Sequence, residues 1–162
     1  MPLLHWELSK GPAAFLVVAF VSSRQVLFPK MARILVIDDT VAVRELLEEM
    51  LRMTGHEVVV AANGKEGLDQ LRRQPVELVI TDLFMPEKEG LETIRELRRD
   101  FPNIGIIAMS GEPGMPSLLG IAKRFGALKT IEKPFDRTEM MAAVEEVLKS
   151  KPSAQRDRSN GS

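Results

Sequence analysis

From Arg33 onward the chain repeats one unit five times: a short apolar run, then a stretch whose apolar residues recur every three or four positions. Ile34–Ile37 is uninterrupted Ile-Leu-Val-Ile, as expected of a strand covered on both faces. Val43, Leu46, Leu47, Met50 and Leu51 then follow helical spacing, and Gly55 ends that helix. The second strand is Glu57–Val60, the second helix Gly64–Arg73 and the third strand Leu78–Thr81. Leu91, Ile94 and Leu97 mark a helix closed by Pro102, before a fourth strand at Ile104–Met109. A helix at Leu118–Phe125 stops at Gly126, and Leu128–Ile131 is a brief fifth strand. Asp136 and Glu139 form a capping box for a last helix lined by Met140, Val144, Val147 and Leu148.

Five strand–helix units predict an α/β fold: a five-stranded parallel sheet with helices on both faces. Right-handed crossovers restrict its layout, and the flavodoxin-like order 2-1-3-4-5 is the common solution at this size. Residues 31–150 are read as this one domain. Residues 1–30 do not conform to the pattern. Their apolar run, Pro12–Val21, is half the length a membrane-spanning helix needs. They are read as a disordered leader or a misassigned start, with Met31 opening the patterned region. Residues 151–162 are rich in Lys, Arg, Ser, Asp and Asn and are read as a disordered tail.

The first strand ends in two adjacent aspartates, Asp38 and Asp39, which a buried strand has no use for. At about 4 Å and an effective dielectric near 20, two such charges repel by roughly 4 kcal/mol. In a sheet of this order, ligands bind outside the carboxyl ends of the strands, at the switch point between the first and third. The residues at those ends are Asp38 and Asp39, Asp82, Ser110 and Lys133. Three carboxylates brought together need a cation. A donor set without histidine or cysteine selects a hard ion, Mg²⁺ before Zn²⁺. A carboxylate beside Mg²⁺ and an ammonium suits attack on a phosphoryl group, giving an aspartyl phosphate.

Each residue also has a plainer reading: Asp39 as a helix N-cap, Asp38 as a solvated loop residue, Asp82 as a turn residue before Pro86. Ser110 reads as a turn hydroxyl and Lys133 as surface charge. Their joint placement on one sheet edge is what favours the chemical reading. The chain has no cysteine and only two histidines, His5 and His56, which disfavours thiolate chemistry, zinc and a serine–histidine triad. A net charge of −1 offers no basic surplus for nucleic acid. Neither glycine-rich nucleotide-binding signature is present.

In these residues the sequence resembles the receiver domain of two-component response regulators, over about 120 residues from Arg33 to Lys149. The resemblance is carried by Asp38-Asp39, Asp82 followed by Met85-Pro86 and Gly90, Ser110-Gly111, and Lys133-Pro134-Phe135. It implies Asp82 as phosphoryl acceptor, Asp38 and Asp39 as Mg²⁺ carboxylates beside Asp82, and the Phe84 carbonyl as a further ligand. It implies Ser110 as the responding hydroxyl, Lys133 as the cationic partner and Gly111 as the small residue beside the phosphoryl group. The expected donor is a sensor histidine kinase or phosphotransfer protein. The expected output is altered binding to a downstream protein, in the cytoplasm and without membrane insertion. The protein would catalyse only its own phosphorylation and dephosphorylation. Thr130 replaces the usual switch aromatic, and Phe84 stands where polar residues are frequent. The alternatives are a receiver-fold binding module independent of phosphorylation, and a Mg²⁺-dependent aspartate-nucleophile phosphatase. The latter needs Asp-x-Asp, whereas this chain has Asp38-Asp39-Thr40.

Overall fold

The computed structural model describes residues 31–85, 89–111 and 116–150. The leader, the tail, Pro86 and the loop at residues 112–115 lie outside the described residues. The elements are β1 (Arg33–Ile37), α1 (Val41–Met53), β2 (Glu57–Ala61), α2 (Gly64–Arg73) and β3 (Leu78–Asp82). There follow α3 (Glu89–Asp100), β4 (Gly105–Ser110), α4 (Pro116–Phe125), β5 (Lys129–Glu132) and α5 (Arg137–Ser150). The sheet is five-stranded and parallel, in the order β2-β1-β3-β4-β5, as the repeated unit predicts.

Alternation along the strands divides the core in two. Ile34, Val36, Leu78, Ile80, Ile107 and Met109 face one way and pack with Leu47 and Leu51 of α1 and Met140, Val144 and Val147 of α5. Leu35, Ile37, Val79, Ile106 and Ala108 face the other way, against Leu68 and Leu71 of α2, Ile94 and Leu97 of α3 and Ala122 of α4. Leu35, Ile37, Leu78 and Ile80 are fully buried. Truncating one such side chain to alanine costs about 2–5 kcal/mol. This two-sided burial explains why β1, β3 and β4 read as unbroken apolar runs.

Local chemistry sets the element ends. Gly55 and Gly126 both take positive φ, at 87° and 116°, and each amide bonds a carbonyl of the helix just ended. Asp136 caps α5, accepting from the Glu139 amide at 2.8 Å. Asn63 and Glu66 form a second capping box at α2: Asn63 Oδ1 accepts from Glu66 N at 2.9 Å, and Glu66 accepts from Ala62 N at 2.8 Å. Arg98 donates to the carbonyls of Pro102 at 2.7 Å, Ile104 at 3.0 Å and Gly126 at 2.5 Å. It thereby ties the end of α3 to the entry of β4 and the end of α4. Strand ends differ from the sequence expectation by about one residue. Asp82 and Ser110 close β3 and β4, because parallel pairing runs on through Asp82↔Met109 and Ser110↔Glu132. Among the described residues no helix is long and apolar enough to cross a membrane.

Candidate functional site

Asp38 is the first residue beyond β1 and is fully buried. Its amide donates to Ala61 O at 3.2 Å, which carries the β1–β2 pairing one step further. Its Oδ1 accepts from Thr40 N at 2.9 Å, and its Oδ2 accepts from Lys133 Nζ at 2.7 Å. Thr40, not Asp39, is the N-cap of α1, and it makes no side-chain capping bond. The plainer reading of Asp39 as a helix cap therefore fails. Asp39 is exposed, on the open side of the cluster.

Asp82 ends β3 and is 4% exposed. Burial holds its carboxyl above the ordinary carboxylate range. Lys133 opposes that shift, the Asp38 charge adds to it, and a hydrogen bond from the Phe84 amide opposes it. Lys133 Nζ lies 3.5 Å from Asp82 Oδ1, long for a hydrogen bond, and that oxygen has no hydrogen-bond partner among the described residues. One carboxylate oxygen from each of Asp38, Asp39 and Asp82 lies within 4.8 Å of the others. Among the described residues, Lys133 is the one ammonium set against these three acids. The set of oxygen donors, with one acceptor oxygen left unpaired, fits a hard divalent cation of the Mg²⁺ class.

Ser110 closes β4, is 2% exposed, and its Oγ has no hydrogen-bond partner among the described residues. Lys133 follows β5, and its amide donates to Ser110 O at 2.7 Å. That bond sets the lysine beside the serine, and the Lys133–Pro134 peptide is cis. Gly111 is exposed and abuts the lysine: a methyl group there would meet Lys133 Cδ at 3.5 Å and Cβ at 3.6 Å, ordinary contacts. Gly90 is more constrained. A Cβ on it would fall 2.5 Å from Asp82 O and 2.5 Å from Leu83 Cα, both backbone atoms. Only glycine lets α3 start this close under the end of β3.

The fold brings Asp38, Asp39, Asp82, Ser110 and Lys133 to one edge, as their strand-end positions predict. Phe84 is adjacent, with its side chain 58% exposed rather than packed over the cluster. Thr130 is half-buried on β5, paired with Ala108. One participant escaped the sequence reading. Arg44, in the first turn of α1, donates to the Asp38 carbonyl at 2.6 Å. Its only signal in sequence is a cation at a helix start.

The model of the response regulator receiver domain matches residues 34–145. Sporulation initiation phosphotransferase F of Bacillus subtilis (strain 168) is 33% identical over 116 residues, covering 72% of this chain and 93% of that protein. Transcriptional regulatory protein GlrR of Escherichia coli (strain K12) is 30% identical over 129 residues, 80% of this chain but only 29% of its own length. The chain thus spans under a third of some curated relatives and nearly all of others. A response regulator receiver domain protein from Clostridium thermocellum superposes with a TM-score of 0.69 at 28% identity, covering 74% of this chain and 95% of that one. The match spans every strand and the whole acidic edge, and the chain belongs to the response regulator receiver domain family.

Proposed function

We propose that this chain accepts a phosphoryl group on Asp82 from a phosphohistidine donor and signals through altered protein–protein interaction. The observation that carries the reading is the Asp82 carboxylate, buried beside Asp38, Asp39 and Lys133, with one oxygen unpaired among the described residues. An Asp82 oxygen attacks phosphorus. The P–N bond of the donor breaks, and its electron pair returns to the imidazole. Asp38, Asp39, Asp82 and the Phe84 carbonyl would hold Mg²⁺. When bound, Mg²⁺ neutralises charge on the transferring phosphoryl oxygens. Lys133 supplies a further positive charge on the same side, and the Ser110 hydroxyl donates to a phosphoryl oxygen once it is there. Gly111 leaves room beside that group.

The donor is a sensor histidine kinase or a phosphotransfer protein, and the readout is a downstream protein. The same reading assigns the exchange to the cytoplasm, where such donors are charged from ATP. The chain is a stoichiometric acceptor, not a turnover enzyme. A binding module indifferent to phosphate is the second reading. It draws support from Thr130, which is too small to act as a switch ring.

The test is incubation with Mg²⁺ and acetyl phosphate, followed by intact mass. The expected result is one added phosphoryl group, labile at alkaline pH and lost in Asp82→Asn. Equal labelling of Asp82→Asn would refute the acceptor assignment. No labelling of either protein would favour the binding module.

A further inference from the structure

We infer that Arg44 is a positioning residue for the acidic cluster: it clamps the peptide joining Asp38 to Asp39 and so directs the Asp39 carboxylate at the cation site. The inference rests on the reading of that cluster as a Mg²⁺ site.

Every polar group of Asp38 is engaged. Its amide bonds Ala61 O, Oδ1 accepts from Thr40 N, Oδ2 accepts from Lys133, and its carbonyl accepts from Arg44. Asp39 makes no hydrogen bond or ion pair among the described residues, and it is exposed. The direction of its carboxylate therefore comes from the backbone, and above all from the peptide that precedes it. The Arg44 guanidinium holds the carbonyl of that peptide at 2.6 Å, a short charge-assisted bond. If the peptide turned, the Asp39 side chain would swing with it, with nothing else to hold it.

The placement of Arg44 is otherwise poor chemistry for a helix. A cation in the first turn opposes the helix dipole. That turn holds no acidic residue, and the Thr40 cap makes no side-chain bond. Arg44 takes no carboxylate within 4 Å among the described residues, although Glu45, Glu48 and Glu49 share its helix and Arg52 pairs with Glu48 at 2.6 Å. Local stability rules set aside at the edge of a site point to a role in that site.

Charge and positioning make opposite predictions. Removing a cation near a Mg²⁺ site relieves repulsion and tightens binding by about two- to fivefold. Removing a group that orients a ligand typically weakens metal affinity by about 10–100-fold. The experiment titrates Mg²⁺ into the full chain as wild type, Arg44→Gln and Arg44→Lys, followed by amide NMR. Weakening of tenfold or more is expected for Arg44→Gln, whose shorter, uncharged side chain falls short of the Asp38 carbonyl, with Arg44→Lys in between, since its longer arm carries a charged donor toward that carbonyl. In metal-free protein the Thr40 amide should exchange faster in Arg44→Gln, while amides of Val36 and Ile80 stay protected. Unchanged or tighter Mg²⁺ binding in both variants would overturn the inference. An Asp39→Asn control separates it from the underlying reading: if wild type binds no Mg²⁺, or Asp39→Asn binds as well as wild type, the cation-site reading falls and the role of Arg44 falls with it.

Discussion

Lys133 Nζ lies 2.7 Å from Asp38 Oδ2, closer than to Asp82 Oδ1 at 3.5 Å. The ammonium is thus committed to the neighbour of the proposed phosphoryl acceptor rather than to Asp82 itself. Among the described residues three carboxylates share the one ammonium, and Asp82 bears the consequence. Its pKa is raised by burial first, and the Asp38 charge adds to that shift.

That arrangement fixes the pH dependence of stability. A carboxyl whose native pKa lies above its ordinary 3.8 binds more protons folded than unfolded between the two values. Its contribution is full below 3.8 and is lost as pH rises through the native value. Asp82→Asn removes the penalty. In metal-free buffer at neutral pH it should be more stable than wild type by about 0.5–2 kcal/mol, the usual scale for relieving a functional compromise. The gap should shrink as pH is lowered toward 4. Urea denaturation across that range checks it, and a lower midpoint for Asp82→Asn at neutral pH would contradict it.

Two glycines flank the site and should respond differently to alanine. At Gly90 the new methyl group meets backbone atoms of Asp82 and Leu83 at 2.5 Å. The chain must move, at a cost of about 1–3 kcal/mol or more, and Asp82 moves with it. At Gly111 the nearest atoms are Lys133 Cδ and Cβ at 3.5 and 3.6 Å, so Gly111→Ala should stay within about 0.5 kcal/mol of wild type. Urea midpoints and acetyl phosphate labelling test both. Gly90→Ala should lose stability and labelling together.

How much of this was readable in the sequence follows from how local each feature is. β1, β3 and β4 are buried on both faces, so Ile, Leu and Val crowd into runs that sequence exposes directly. The site residues sit at strand ends, and strand order alone converges them. The helix cap of α2 is as legible as that of α5, since Asn63 and Glu66 have the same spacing as Asp136 and Glu139. Arg44 and Arg98 were not legible, because both serve backbone carbonyls, and a carbonyl acceptor leaves no mark in a residue pattern. The preference of Lys133 for Asp38 over Asp82 is a matter of under 1 Å between residues 95 positions apart in the chain, a scale sequence does not encode.

His56 makes the opposite end of the sheet sensitive to acid. It is 9% exposed, and its Nδ1 accepts from the Ala32 amide at 3.3 Å. Burial lowers its pKa, and the Glu77 and Glu145 charges only partly oppose that. A lowered native pKa means stability that is present above the ordinary value of 6.5 and lost as pH falls below it. Protonation also turns Nδ1 into a donor and breaks the bond to Ala32. The slope from one proton cannot exceed about 1.4 kcal/mol per pH unit. His56→Phe should flatten the stability profile between pH 7 and 5 relative to wild type, as read by urea denaturation. An unchanged slope would remove His56 as the source.

Phe84 bears on the lifetime of the phosphoryl group. Phe84 is 58% exposed, two residues beyond Asp82, so it stands beside the acidic cluster without plugging it. A ring at this position is expected to limit the in-line approach of water. Phe84→Asn should shorten the aspartyl phosphate half-life by a few fold; each tenfold corresponds to about 1.4 kcal/mol of barrier. A half-life unchanged or lengthened, measured by decay of the labelled mass, would count against shielding.

The last prediction concerns how the signal leaves the site. Ser110 is 2% exposed, and its hydroxyl has no hydrogen-bond partner among the described residues. A buried polar group left unpaired costs about 1–3 kcal/mol. Ser110→Ala should therefore be neutral or stabilising in unphosphorylated protein. A phosphoryl group on Asp82 brings roughly −1.5 to −2 charge and new acceptor oxygens. Ser110 then gains a charge-assisted bond, and that gain is available only in the phosphorylated state. Ser110 pairs with Glu132 at the end of β5, its carbonyl holds the Lys133 amide, and Ala108 of the same strand pairs with Thr130. Movement of the hydroxyl is thus coupled to β5 through main-chain bonds. Thr130 lacks the bulk to fill the space Ser110 leaves, so the response on β5 should be small. Amide NMR with and without beryllofluoride reads it. In wild type, shifts should extend from Asp38, Asp39 and Asp82 to Gly111 and Thr130. In Ser110→Ala they should stop at the acidic cluster while beryllofluoride still binds. Equal shifts at Thr130 in both proteins would mean that the signal reaches β5 without the serine.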